Sequence, residues 1–262
     1  MGIEIDKAVT VCTVCILGIA IGSFLNVCIF RIPIGKSVIF PPSACQRCGH
    51  RLGWWENIPL FSYMFLKGRC YSCDAPYSAQ YPAVEFLAGV VVAANYFLFH
   101  GITADMVLYS IFGFVLIVIS FIDWRYYWIP DKVILIGAAL GIAGSLVSDT
   151  LDWKMSCMGG LAGGVSMIGL GLIGYAVHRK ESLGGGDIKL MIMVGIYLGW
   201  RLTLLSIFWG ALAALCVYIL LVIMKRKRPH WIVPFGSFLA MGSMAAVWVG
   251  NRVLDWYLHL VW

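Results

Sequence analysis

Apolar residues recur in runs long enough to cross a bilayer, and no other feature of the sequence constrains the fold as much. The runs occupy residues 8–30, 83–99, 106–122, 133–147, 156–177, 190–198, 202–224 and 231–249. A helical crossing takes about 20 residues. Lipid offers no partner to a backbone N–H or C=O, so an apolar chain of this kind must satisfy those groups within helices. The pattern predicts an all-α polytopic membrane protein with about eight transmembrane helices. Composition agrees. The chain is 61% hydrophobic and 12% charged, whereas a soluble domain carries about 25% charged residues. So little charge cannot cover a water-facing globule of 262 residues.

Residues 1–7 hold Glu4 and Asp6 with a single base, Lys7, and the run after them is longer than the core of a signal peptide. A retained first span, 1–30, is expected. A polar stretch over 31–82 follows, then a seven-helix body over 83–262. The net charge of +6 reads as basic cytoplasmic loops rather than as a nucleic-acid footprint. With the 31–82 loop placed in the cytosol, alternation through eight spans puts 15 of the 19 Lys and Arg residues on that side. The short run 190–198 must count as a span for the basic cluster 225–228 to fall there too.

Two acids adjoin apolar runs on that cytosolic side. Asp123 lies in Phe121-Ile122-Asp123 and Asp187 closes Gly184-Gly185-Gly186-Asp187. Two carboxylates that share one proton can hydrolyse a peptide bond, because like charges at close range do not both ionise cheaply. Gly184 and Gly186 would permit unusual backbone or a close substrate approach. The plainer alternatives are an interfacial acid or a salt bridge, with Arg125 and Lys189 as partners. Asp131, after Pro130, reads as a helix N-cap. Glu85, just inside the second run, is a partner for a base or a substrate contact.

The 31–82 loop contains Cys45-Gln46-Arg47-Cys48 and Cys70-Tyr71-Ser72-Cys73. Paired CxxC knuckles are the pattern of a closed, structural four-thiolate zinc site. Disulfides and free thiols are the alternatives, and disulfides are rare in the cytosol. The loop is too short and polar to build its own core, so zinc would supply folding energy. Cys12, Cys15, Cys28, Cys157 and Cys216 fall in spans and read as small buried side chains.

Taken together these segments resemble the bacterial type IV prepilin peptidase family. The resemblance rests on Gly22-Ser23-Phe24-Leu25-Asn26-Val27, Arg31-Ile32-Pro33, both CxxC pairs, Asn57-Ile58-Pro59, Gly68-Arg69-Cys70 and Tyr81-Pro82-Ala83-Val84-Glu85. It continues through Phe121-Ile122-Asp123, Ile129-Pro130-Asp131 and Gly184-Gly185-Gly186-Asp187-Ile188-Lys189. It implies a multi-pass enzyme of the bacterial inner membrane whose active site faces the cytosol. Its substrates would be type IV prepilins or pseudopilins, cut after a Gly that follows a short basic leader. Asp123 and Asp187 match the two catalytic acids. The resemblance also implies N-methylation of the new amino terminus from S-adenosylmethionine, associated with the cysteine loop, and Gly68 matches a glycine linked to that activity. Arg69 stands where a lysine is common. No GxGxxG fingerprint accompanies a strand here, so the methylation expectation rests on the resemblance alone. A peptidase whose zinc loop only docks leaders, and a small proton-coupled transporter, are the competing readings. Neither nucleic-acid binding nor an oligomeric state is indicated.

Overall fold

The computed structural model describes residues 2–179, 183–224 and 233–261. Lys180, the basic cluster 225–228, His230, the first residues of the last apolar run and Trp262 lie outside the described residues. Among the described residues the regular structure is all helical, with only two isolated β-bridges, Ala44 to Arg51 and Arg69 to Pro76.

The chain divides into two compact units, Met1–Gly101 and Ile102–Trp262. In the first, α1 (Gly2–Arg31) packs along α3 (Gln80–Leu98). Small residues make this possible. A Cβ on Gly22 would lie 2.6 Å from Glu85 Cα, and one on Gly18 would lie 3.0 Å from the Ala88 carbonyl oxygen. Helices in lipid have no hydrophobic drive to associate, so close backbone approach has to supply the attraction. The stretch 83–101, grouped with the later helices on sequence, therefore belongs with α1. Between the two helices runs the loop, with one 3₁₀ turn, Trp55–Asn57, and the short α2, Phe61–Phe65. Glu85 ties that loop to α3 by accepting the Leu60 N–H at 2.7 Å.

In the second unit, α4 (Ala104–Tyr126) is central. Its most apolar window is 72% buried, against 22% for α6 (Trp153–His178) and for α7 (Gly185–Ile223). Thr103 caps α4 by accepting the Met106 N–H at 3.1 Å. Around α4 stand α5 (Asp131–Ser145), α7 and α8 (Phe235–Ala245), which a π turn, Ala246–Gly250, joins to α9 (Asn251–Val261). Among the described residues, five helices are long and apolar enough to cross a membrane: α1, α3, α4, α6 and α7. Outward residues such as Leu135, Leu161, Val165 and Ile173 are more than 60% exposed, which suits lipid and not water.

The runs 190–198 and 202–224 form one continuous element, α7, broken at Gly199, whose φ of 68° and ψ of 172° are not helical. The break reverses the chain. The Met191 carbonyl and Thr203 Cγ2 both lie against the point where a Cβ on Gly163 of α6 would sit. A continuous helix would hold those two residues about 18 Å apart. The two halves of α7 therefore lie side by side. Only glycine adopts that φ without strain. Polar side chains tie the helices internally: Tyr197 donates to the Gly137 carbonyl at 2.8 Å, Ser156 to that of Ile196 at 2.7 Å and Tyr109 to that of Tyr197 at 3.1 Å.

Gly159 and Gly195 bring α6 and α7 into backbone contact, each filling the place of the other's missing side chain. Gly195→Val is expected to destabilise the second unit by about 1–3 kcal/mol, read as a lowered thermal midpoint in detergent. A matched Val at Gly169, which has open space around it, is expected to leave the midpoint in place.

Candidate active site and metal centre

Asp123 sits in the last turn of α4 and Asp187 in the first turn of α7. Far apart in the chain, they line one cavity of about 270 Å³, with Tyr127, Ile129, Asp131, Gly184, Gly186 and Lys189 among its walls. Their charges are close enough to interact. Three local features set the two acids at this cavity. Tyr127 ends α4 in a left-handed turn at φ 53°, its N–H bonded to the Asp123 carbonyl at 2.9 Å. Ile129 and Pro130 are buried beneath the glycine run, and a Cβ on Gly186 would lie 3.3 Å from Ile129 Cβ. The Asp187 carboxylate faces the N–H of Gly184, which precedes its own helix.

The glycines work differently from one part of the expectation. None of Gly184, Gly185 and Gly186 has a positive φ. What they supply is room, since side chains there would fill the floor of the cavity.

Asp131 is the first residue of α5 and not its N-cap, which is Pro130. Its carboxylate instead receives Lys189 Nζ at 2.8 Å on both oxygens, across the cavity rim. Both groups are more than half exposed, so the pair contributes less than about 1 kcal/mol to stability. The two bases that sequence offered to the dyad are placed otherwise. Lys189 goes to Asp131, and the Arg125 guanidinium lies 5.6 Å from the Tyr126 ring centroid.

The sequence reading missed Gly236 and Ser237. Ser237, in the first turn of α8, donates its N–H to Asp123 Oδ2 at 2.8 Å, and its Oγ lies 3.1 Å from the same oxygen. The first N–H groups of a helix have no partner within it, and here a carboxylate answers them. Gly236 must lack a side chain, because a Cβ would lie 3.1 Å from Asp123 Oδ2 and 2.7 Å from Ile129 Cδ1. A signal was present as Pro234-Phe235-Gly236-Ser237 within the last apolar run, where Pro permits a helix start, but nothing local says what that start faces.

In the first unit the four sulfurs of Cys45, Cys48, Cys70 and Cys73 lie within 4.8 Å of one another. Cys45 to Cys73 and Cys48 to Cys70 are each 3.9 Å. A tetrahedral zinc with Zn–S bonds of about 2.3 Å needs sulfurs about 3.8 Å apart, so the donor set fits that ion. Each pair sits on a repeated knuckle. The Gly49 N–H bonds the Cys45 carbonyl at 3.0 Å, and the Asp74 N–H bonds that of Cys70 at 3.0 Å. Gly49 and Asp74 both have left-handed φ, 72° and 53°. The Cys48 N–H, helped by that of Arg47, favours the thiolate of Cys45 and pulls its pKa down to about 6 against the effect of burial.

Gly68 begins the second knuckle with φ 68°. A Cβ there would lie 2.8 Å from Tyr63 Cζ, so the ring occupies the space that a side chain would need. Arg69 beside it is exposed.

Two family models match the chain. Residues 16–99 match the bacterial peptidase A24 N-terminal domain, and residues 110–219 match the type IV leader peptidase family. The first holds the four cysteines and the second holds Asp123 and Asp187. A prepilin leader peptidase/N-methyltransferase of Aeromonas salmonicida is 30% identical over 274 residues, covering 94% of this chain and 93% of that protein. The chain belongs to the type IV leader peptidase family. Within it, proteins carrying the same description are similar in Pseudomonas aeruginosa, 29% identical over 96% of this chain and 94% of that protein, and in Myxococcus xanthus, 36% identical over 79% of this chain. The match spans 62% of the Myxococcus protein's length. No solved structure matches the chain. Ser237 lies beyond both segments matched by the family models.

Proposed function

We propose that the protein is a membrane aspartic peptidase that removes the leader from type IV prepilins or pseudopilins at the cytosolic face of the bacterial inner membrane. The observation that carries this reading is the shared cavity of Asp123 and Asp187. Each acid stands at the end of an apolar helix. A substrate with a basic leader ahead of an apolar helix presents its scissile bond at that depth. The Lys and Arg bias supports eight crossings, counting the two halves of α7, α5 and α8, which would set both acids and the cysteine loop on the cytosolic side.

The chemistry follows from one proton shared by two carboxylates. The ionised member takes a proton from a water as its oxygen attacks the scissile carbonyl carbon. The protonated member gives its proton to the carbonyl oxygen. The C–N bond breaks as the first proton passes to the leaving nitrogen, and the second is returned when the carbonyl re-forms. The products are a free leader acid and a free amine, with no covalent intermediate. Glycine-lined walls leave an extended substrate strand close to both acids.

Cys45, Cys48, Cys70 and Cys73 would hold a zinc ion whose part is structural, since four thiolates would leave it no open position for catalysis. Methylation of the new amino terminus is the second activity, and the names of the relatives support it. S-adenosylmethionine, when bound, supplies the methyl group. Gly68 and Arg69 would be this chain's residues toward it, the exposed Arg69 supplying a positive charge and Gly68 shaping the turn that carries Arg69.

The test is mass spectrometry of a prepilin incubated with the purified, detergent-solubilised protein and S-adenosylmethionine. Loss of the leader with one added methyl group is expected. Loss of the leader alone leaves a peptidase whose loop serves recognition. An intact substrate, with folded and zinc-loaded protein, counts against the reading.

A further inference from the structure

Ser237 does more than tether two helices. Its hydroxyl carries one hydrogen and stands between two acceptors, the Ser120 carbonyl at 2.8 Å and Asp123 Oδ2 at 3.1 Å. It donates to one of them at a time. With Asp123 ionised, the hydroxyl hydrogen turns to Oδ2. With a proton on Oδ2, the carboxyl donates to Ser237 Oγ and the hydroxyl hydrogen turns to Ser120. Both states are fully hydrogen-bonded without moving a heavy atom. That matters at a residue only 5% exposed, where an unmet polar group is costly.

The two acids are not equally provided for. Asp123 receives the Ser237 N–H and faces that of Gly236 besides the hydroxyl. Among the described residues Asp187 faces one backbone N–H, from Gly184. Asp123 faces the start of α8 but sits in the last turn of α4, whose dipole opposes its charge, while Asp187 lies at the start of α7, so the case for Asp123 rests on its hydrogen-bond donors and not on the macrodipole. Resting on the dyad reading above, we propose that Ser237 is a positioning residue that makes Asp123 the member ionised at rest. Asp123 then takes the water's proton and passes it to the leaving nitrogen, while Asp187 starts protonated and polarises the carbonyl. Among the described residues the other titratable groups around the cavity are Asp131 of α5, Lys189 of α7 and Tyr127 after α4; α8 brings none.

The experiment is the pH–rate profile of leader cleavage by the full chain in detergent, for wild type, Ser237→Cys and Ser237→Ala. A hydrogen bond to an ionised carboxylate favours that form, and cleavage fails on the acidic side once the base is protonated. Removing the donor moves the acidic limb to higher pH. Alanine is expected to move it by about one pH unit and to lower kcat on the order of tenfold, with KM held. Cysteine, a weaker donor of similar size, is expected to fall between, and it reads the same shift if the alanine variant does not fold. An acidic limb that stays in place in the folded variants, whatever happens to kcat, overturns the proposal and leaves Ser237 a packing residue. The dyad fails separately, by an active Asp123→Asn.

Discussion

Asp123→Asn and Asp187→Asn are each expected to lower the rate of leader cleavage by about 10³-fold or more, with the protein still folded. Asparagine keeps the shape and much of the hydrogen bonding of the carboxyl group. It takes no proton from water and gives none to a carbonyl. General acid–base catalysis by a positioned group contributes about 10²–10⁴-fold, and the proposed dyad would use both halves at once, so either change would remove the unit. In the Asp123→Asn variant the new side chain's amide oxygen still accepts the Ser237 N–H, which is why the fold should survive. A thermal midpoint within a few degrees of wild type, measured beside the activity, separates lost chemistry from lost structure. Because one acid must be ionised and the other protonated, wild-type cleavage is expected to fall at both ends of the pH range. A variant retaining a tenth of wild-type cleavage would remove its residue from the mechanism. It would also turn attention to the proton-coupled transporter, for which the same acids serve as a relay.

The second large effect concerns the loop. Its own buried cluster is small: Cys45, Cys70 and Ala75, with Cys73 and Tyr77 packed against it. Most of that cluster is the metal site itself. Structural zinc contributes about 10–16 kcal/mol of apparent binding energy in small zinc domains, far more than so few apolar contacts provide. Cys70→Ser, or stripping the metal with a strong chelator, is therefore expected to unfold the knuckles between Ala44 and Tyr77. Metal analysis should give one zinc per chain in the wild type and a large loss in the variant. Limited proteolysis should show cuts confined to the loop. If methylation depends on the loop, it should be lost together with the zinc. A metal-free protein with a protease-resistant loop would show that the fold of the loop does not depend on the ion.

Much of this protein was legible in its sequence. The apolar runs required helices, because lipid leaves the backbone no other partner. The paired CxxC motifs marked a cysteine cluster that could hold a metal, because two short knuckles bring four thiols to one point. Asp123 and Asp187 stood out because carboxylates beside apolar runs are costly, and the glycines before Asp187 signalled a close approach. Each of these signals is local, a matter of residue type and spacing over a few positions.

What tertiary structure decided was non-local. Gly199 reads as one glycine among many, and only its φ shows that α7 doubles back there. Residues 83–101 carry no mark that assigns them to α1, because the assignment comes from how Gly18 and Gly22 fit the backbone of α3. Lys189 was offered as a partner for the two dyad acids, and packing gave it to Asp131 instead. The partner of Asp123 could not be read at all, since Ser237 lies more than a hundred positions away and looks like an ordinary helix start. Sequence set which groups are too costly to leave alone in a membrane. The packing of α4, α7 and α8 determined which groups meet, because that depends on distances no spacing along the chain encodes.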